Sequence, residues 1–342
     1  MAAPANTRET YGAIGIREDL SNIIYNISPM DTPFINSVGR GSCDNTTFEW
    51  QTDELKAVSA NRQEEGNDYG ATAATEPRRL TNFTQISATQ VTSSGTAEAV
   101  DFAGRKSTQA YQLAKRAKEM KRDMESMLLD YTIKTIGASG TARKTASVGT
   151  WMGTPVVGTS TVIDGSNDGS DAARLTGLAN LGAGSVGPDG TTDPTDAAGA
   201  TFAVTLAGIN ATVSRIWDLG GTPDVIMCDA ATKQTISSSA VGGAVVATPY
   251  KDAGSKDGPV TAVNAVDVLV TDFGTFKVVP NRFSVAETIY FFDYDLWSID
   301  YLRPFRTETL AKSGDNMKQL LIAEYGLRAK NGHGNGQMRG VK

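Results

Sequence analysis

The chain has 342 residues, 32 Lys plus Arg against 38 Asp plus Glu, a formal net charge of −6 and 40% apolar residues; the length suggests about two domain-sized units and the balance excludes a disordered polyelectrolyte. Its 35 glycines have no three-residue period, which excludes collagen, and no apolar run reaches the roughly 20 residues that cross a bilayer. The charged start (Arg8, Glu9, Arg17, Glu18, Asp19) predicts no secretory leader, and two cysteines build no disulfide framework, so the expectation is a soluble, intracellularly made protein with a sizeable core.

Residues 1–45 open with Leu20, Ile23, Ile24 and Ile27 at the spacing of one or two helical turns. Ser28-Pro29 and Thr32-Pro33 then block a continuing helix. The stretch reads as an arm that lies on something else. Over 46–55, Phe48, Trp50 and Thr52 alternate with Thr47, Glu49, Gln51 and Asp53, which predicts a strand. A second strand is predicted over 82–92. About 26 polar residues lie between them, including Glu64, Glu65, Arg78 and Arg79. A ribbon polar on both faces is marginal alone and needs a partner surface. The alternative is an ordinary surface hairpin with a long loop.

Leu113, Ala117, Met120, Met124, Met127 and Tyr131 form one apolar stripe and predict a helix over 98–136. Lys115, Arg116, Lys118, Glu119, Lys121, Arg122, Asp123 and Glu125 fall on the opposite face. Lys115–Glu119 and Lys121–Glu125 are its i,i+4 pairs. At full length this rod would measure about 58 Å, too long to fit easily in a compact globule. Either it breaks near Gly104 or the subunit is elongated; a short coiled coil is the rival reading.

Residues 137–200 are rich in Gly, Ser, Thr, Ala and Asp and read as strands and loops of a second domain. A helix is predicted over 201–219, stopped by Gly220-Gly221. A buried strand follows over 225–228, then a helix over 230–237 capped by Asp229. Further strands are predicted at 266–271, 275–280, 289–292, 296–302 and 318–330, before a glycine-punctuated tail.

Net charge alternates: −5 over 1–97, +4 over 98–150, −8 over 151–272, −2 over 273–302 and +5 over 303–342. No single basic face of the kind that grips nucleic acid results. The pattern suits one part of a subunit meeting another part of a neighbour; chance clustering of solvated charge is the alternative.

Motifs for chemistry fail on context. Gly182-Ala-Gly184-Ser-Val-Gly187 has dinucleotide spacing but leads into Pro188-Asp189-Gly190 and no helix. Asp164 to Gly169 starts like a calcium loop, yet Leu175 stands where a bidentate glutamate is needed. His333 is the sole histidine and sits in the glycine-rich tail. Cys228 reads as a small core hydrophobe, and Cys43, after Gly-Ser in a loop, is open to reaction but has no histidine nearby in sequence. Sequons at Asn26, Asn45, Asn82 and Asn210 mean nothing without secretion. Catalytic residues, cofactor and metal are each expected to be none, and an enzyme is disfavoured.

Several segments carry a resemblance. They are Leu20-Ser-Asn-Ile-Ile-Tyr-Asn-Ile-Ser-Pro-Met-Asp-Thr-Pro-Phe34, Phe48-Glu-Trp-Gln-Thr-Asp53, Asn61, Glu65-Gly66 and Asn82-Phe-Thr-Gln-Ile86. Ser94-Gly-Thr96, Ala103-Gly-Arg105 and Lys118-Glu-Met-Lys-Arg-Asp-Met-Glu125 follow. Val279-Pro-Asn-Arg-Phe283, Tyr301-Leu-Arg-Pro-Phe305 and Leu310-Ala-Lys-Ser-Gly-Asp315 close the series. In this order they resemble the major capsid proteins of a group of tailed bacteriophages. The resemblance covers most of the chain and is weakest over 140–200.

It implies an α+β, Hong Kong 97-like capsid fold. The parts would be an N-terminal arm over 1–45, an extended β-hairpin loop over 46–97 and a spine-helix segment of the peripheral domain over 98–149. An axial domain over 150–270 and peripheral-domain strands with a C-terminal tail over 271–342 complete it. It also implies a virion protein, made in the bacterial host cytoplasm and unattached to membrane. Its partner would be itself, in hexamers and pentamers forming an icosahedral head around double-stranded DNA bound without sequence preference. Decoration, scaffolding and portal proteins are further partners of such shells. An encapsulin-like compartment, a phage tail or decoration component, and an α/β enzyme stay open as alternatives. The candidate intersubunit contacts are Phe48, Glu49, Trp50, Asp53, Glu64 and Glu65 on the ribbon, set against Lys118, Lys121 and Arg122 on the helix. Phe48 and Trp50 are the expected apolar anchors; the alternative is that Trp50 packs inside its own hairpin.

Overall fold

A computed structural model describes residues 28–53, 60–66, 76–102, 105–152, 204–240 and 267–341, with Leu55 and Val58. The apolar patch at 20–27, both decoy motifs in 164–187 and Gly104 lie outside the described residues.

Pro33 opens a helix where the sequence suggested a block. α1 (Pro33–Ser37) holds it in the first turn, where its missing N–H has no intrahelical bond to lose. β1 (Gly39–Ser42) follows. β2 (Thr47–Thr52) and β3 (Arg78–Phe83) pair antiparallel as a ribbon, with Phe48 opposite Asn82 and Trp50 opposite Leu80. The strand expected over 82–92 is in fact two. β3 ends at Phe83, and β4 (Gln85–Ser94) joins a different sheet. The break falls at Thr84, which is buried and donates its hydroxyl to Glu324 Oε1 at 2.9 Å.

The helix expected over 98–136 is shorter at both ends. α2 (Gly95–Ala99) is a separate turn capped by Ser94. α3 (Thr108–Leu128) begins at a second cap, Ser107, whose Oγ accepts from Ala110 N at 3.2 Å. Its 21 residues measure about 31 Å, which a compact subunit holds. Tyr131 lies beyond its end, where the chain folds back through the bridges Thr135↔Lys144 and Ala138↔Thr141. Met120 and Met124 are buried as the stripe predicts, while Met127 of the stripe is half-buried and Leu128, outside it, is buried. Glu125 is buried with them instead of pairing with Lys121, and Glu119 takes Arg116 at 2.7 Å. α4 (Val148–Trp151) then places Trp151 in the main core.

α5 (Leu206–Asp218), β5 (Val225–Cys228) and α6 (Ala230–Ala240) keep the expected helix–strand–helix order. Gly220, at φ 86°, takes the left-handed position behind α5. The Asp229 carboxylate accepts from Ala231 N and Thr232 N at the start of α6. β6 (Val268–Thr271), β7 (Gly274–Pro280), β8 (Thr288–Phe292), β9 (Trp297–Thr309), β10 (Asn316–Ala329) and β11 (Gly336–Arg339) follow. The glycine-rich tail is ordered structure: β11 is an edge strand, and Gln337 Nε2 donates to Gly149 O at 2.8 Å.

One sheet runs β1-β9-β10-β4, with β1 parallel to β9. The other runs β11-β8-β5-β7-β6, with β5 parallel to β7. The expected division at residue 270 therefore cuts through one sheet, because β6 and β7 pair with each other and β7 pairs with β5. The main core joins α3, α4, the four-stranded sheet and one face of the five-stranded sheet around Met124, Trp151, Tyr290, Phe292, Trp297 and Tyr325. A second core lies on the other face, where Ile209, Val213 and Ile216 of α5 and Ile236 of α6 meet Ile226, Phe276 and Phe291. Burial of each such side chain contributes about 1.5–3 kcal/mol.

Candidate assembly surfaces

The ribbon is fastened to its own subunit at the root. Phe48 is buried and stacks on Trp50, ring centroids 5.8 Å apart, and Trp50 meets Trp151 at 5.3 Å. The Arg328 guanidinium lies 5.7 Å from the Phe48 ring and 6.0 Å from that of Trp50. Gly326 leaves the space that Phe48 fills: a Cβ there would sit 2.4 Å from Phe48 Cε1. Phe48 is thus not an anchor for a neighbour, and Trp50 packs within its own subunit. The register turns both rings to the body.

Asn82 sits at the same root, fully buried. Its Nδ2 donates to Thr145 Oγ1 at 3.0 Å and Leu327 O at 2.6 Å. Its Oδ1 accepts from Ala146 N at 2.9 Å and Phe83 N at 2.8 Å. Every hydrogen-bonding site of the amide is used, which a buried amide requires. Beside it Glu324 accepts from Arg143 Nη2 at 2.5 Å and Arg303 Nε at 2.7 Å. The ribbon's departure from the sheet is held by these polar groups as much as by the rings.

The remaining candidate residues of the ribbon face outward, while Leu80, opposite Trp50, is buried. Glu49 pairs with Arg79 of its own ribbon at 3.2 Å. Asp53, Glu64 and Glu65 are exposed. So are Leu55 and Val58, at 99% and 104% relative accessibility.

On α3, Lys118 and Lys121 are exposed and Arg122 is half-buried. The Arg122 guanidinium lies 5.9 Å from the Phe283 ring. A groove of about 230 Å³ runs along this face, lined by Met30, Tyr111, Lys115, Lys118 and Arg122, with Glu119 at its side. The candidate residues thus fall into three groups: an inward aromatic pair, an outward acidic set on the ribbon and an outward cationic set on α3.

The buried face of α3 holds the least expected group. Glu125 is fully buried; its Oε1 accepts from Phe34 N at 2.8 Å and Asn281 Nδ2 at 2.7 Å, and its Oε2 from Ile35 N at 2.9 Å. It ties α1 and the loop after β7 to α3. Burial raises its carboxyl above the usual range, against the pull of the three hydrogen bonds. Cys43, open to reaction on the sequence alone, is buried and pushed up to about 11 by burial and by the Asp300 charge. Cys228 is a core residue, pushed up to about 12 by burial. No group of three or more His, Cys, Asp or Glu among the described residues could hold a metal ion.

The sequence and the fold are similar to those of known proteins. The model of the SU10 major capsid protein family matches residues 3–342. The chain belongs to the SU10 major capsid protein family. A major capsid protein of Escherichia phage Phieco32 is 29% identical over 352 residues, 96% of this chain and 95% of that protein. Among solved structures, a chain of the cyanophage A-1(L) capsid asymmetric unit matches with a TM-score of 0.67 at 14% identity, over 95% of this chain and 97% of that one. The capsid of a native GTA particle gives 0.57 at 14% identity, over 99% and 100%. A holo-encapsulin complex from Synechococcus elongatus PCC 7942 gives 0.52 at 9% identity, over 95% and 93%. The fold is therefore Hong Kong 97-like, a mixed helix and sheet architecture.

Two anchoring residues carried little signal in the sequence. Glu125 lies among seven charged neighbours on α3, and Asn82 reads only as a strand residue within a sequon. A clue to Glu125 was available in Pro33: a proline opening a helix leaves buried N–H groups just behind it that require an acceptor.

Proposed function

We propose that this chain is the major capsid protein of a tailed double-stranded DNA bacteriophage, and that its copies assemble as hexamers and pentamers into an icosahedral head around the genome. The family match over nearly the whole chain carries this reading. The unfinished ribbon supports it: a root fixed by the subunit's own core and an outer half with exposed apolar residues. The role is structural, in the virion, with synthesis in the host cytoplasm. Decoration proteins occur with the major capsid proteins in the phage G structure; decoration, scaffolding and portal proteins are the further partners to look for here.

On this reading residues 1–45 are the arm and the ribbon around 46–83 is the extended loop. The peripheral domain combines α3 with the four-stranded sheet, and the axial domain is built on the five-stranded sheet. The acidic set Asp53, Glu64 and Glu65 would lie over a neighbour's Lys118, Lys121 and Arg122, with Leu55 and Val58 against Met30 and Tyr111. An encapsulin-like shell is the second reading, since the encapsulin structure matches at 0.52; the higher capsid score and the capsid relative weigh against it. Negative-stain microscopy of the expressed full-length chain tests both. Closed shells are expected. Tubes, trimers or monodisperse subunits would overturn both readings, and shells loaded with host protein cargo would favour the encapsulin.

A further inference from the structure

The outer edge of the five-stranded sheet is apolar where a free edge is normally defended. β6 ends the strand order, so its outward backbone groups have no strand partner among the described residues. Exposed edges usually carry charge, proline or a bulge that prevents pairing with another chain. β6 reads Val-Leu-Val-Thr, with Val268 56% and Val270 74% exposed. The turn into β7 holds Phe273, 39% exposed, and its ring lies 5.9 Å from that of Trp217, 55% exposed near the end of α5. Leu219 adds a further side chain, 38% exposed.

These residues wrap around the edge. Leu269, paired with Phe276, faces the helices, so Val268 and Val270 lie on the opposite sheet face, while Trp217 belongs to the helix layer. Asp218, Asp272 and Lys277 are exposed around them. An apolar centre with a charged rim is the anatomy of a protein interface.

The size fits as well. Five side chains at these exposures leave on the order of 500 Å² of apolar surface, near the upper end of what a monomer shows. A standard interface takes about 800 Å² from each partner, a little over half of it apolar. The patch therefore matches the apolar share of one side, and it is centred on tryptophan, a residue type that dominates interface energetics.

We propose that the Trp217–Phe273 corner and the outer edge of β6 form an intersubunit seam, closed in the shell by a second copy of this chain. The inference rests on the capsid reading above. In an assembly built from one chain, the next subunit is the surface present at every copy that can cover an edge left open on each. The contact is heterologous, the patch meeting a different surface of its neighbour.

The test uses the full-length chain before and after assembly. The fluorescence of Trp217 is isolated as wild type minus Trp217→Phe. On assembly this signal should shift to the blue and lose its quenching by acrylamide. Trp217→Ala with Phe273→Ser, and separately Val270→Lys, should raise the concentration needed for shells by about tenfold or more. Urea unfolding midpoints of the unassembled variants should fall only slightly, because the side chains are about half exposed. Shells in which Trp217 stays fully quenchable, with both variants assembling at wild-type concentrations, would overturn the seam and leave the capsid reading standing. Protection of Trp217 already in the unassembled chain, or only on adding a different protein, would also overturn it. Failure of the wild-type chain to form shells would overturn both.

Discussion

Replacing Glu125 by alanine should destabilise the subunit by about 2–4 kcal/mol. The carboxylate accepts from Phe34 N, Ile35 N and Asn281 Nδ2 at 2.7–2.9 Å and is fully buried. Alanine strands three buried donors, at about 1–3 kcal/mol each. It also removes a charge whose own burial costs several kcal/mol, which offsets part of the loss. Glu125→Gln removes the charge but sets an amide NH₂ against Ile35 N–H, and should stay within about 1–2 kcal/mol of wild type. The two variants separate in their pH dependence. Burial raises the folded-state carboxyl above the ordinary value of 4.5. A group raised in this way binds its proton better in the folded state. Its contribution is fully present below the unfolded value and is lost as pH rises through the folded one. Wild-type stability minus that of Glu125→Gln should therefore increase as pH falls toward 4.5. Denaturant unfolding of the unassembled full-length chain, followed by tryptophan fluorescence, reads both effects; the Trp297 ring lies 6.3 Å from that of Phe34, which α1 carries. An alanine variant within about 0.5 kcal/mol of wild type would refute the argument, and so would a wild-type advantage that grows as pH rises.

Reversing Lys118, Lys121 and Arg122 together to Glu should raise the concentration needed for assembly and flatten its salt dependence, measured by light scattering across salt; unchanged assembly at every salt concentration would sink the ribbon–helix pairing. Gly326→Ala should cost about 1–3 kcal/mol, since its Cβ would meet Phe48 Cε1 at 2.4 Å and Phe83 O at 3.1 Å. Hydrogen exchange should then quicken at the root of β2 and β3, and a change confined to the five-stranded sheet would contradict the packing described. Neither cysteine should react with iodoacetamide at pH 8 in the native chain, and both should react in urea, because burial holds the thiols at about 11 and about 12. Rapid native labelling of Cys43 would disprove its burial.

Legibility in the sequence followed the range of the signal. Short runs with one local cause were read closely: the β5 strand over 225–228 and the Asp229 cap of α6 each depend on neighbours within four residues. The stripe on α3 gave the buried face but not the ends. The stripe alone runs past the Ser107 cap and past Leu128. What failed was long-range. Nothing local tells that 78–83 stays in the ribbon while 85–94 crosses to β10, because Thr84 turns the strand for a bond to Glu324, 240 residues away. Glu125 failed for the same reason: its donors come from α1 and from the loop after β7, 90 to 156 residues off. The candidate contacts divided in the same way. Glu64, Glu65 and Lys118 are exposed, as their polar surroundings in the sequence imply. Size and apolarity make Phe48 and Trp50 candidate anchors but do not say which body a ring packs on, which is why packing of Trp50 within its own hairpin stays open from sequence.

The ribbon's two halves need each other energetically. Burying Leu55 and Val58 against a neighbour would contribute about 3–6 kcal/mol in all, a weak contact of roughly millimolar order before association costs are counted. Ordering a free loop costs about 1–2 kcal/mol of backbone entropy per residue, so a ribbon loose along its length would lose that gain within a few residues. Asn82, the Phe48–Trp50–Trp151 stack and the Glu324 cluster order the root before any neighbour arrives. On the proposed contact, outer residues such as Leu55 and Val58 are then what a neighbour has to cover, and a modest attraction suffices. A weak contact repeated by every copy also lets misplaced subunits leave, which a strong one would prevent. Rigidity at the root and exposure beyond it are in this sense one design for assembly, and loosening the root should weaken assembly although its rings pack on their own subunit.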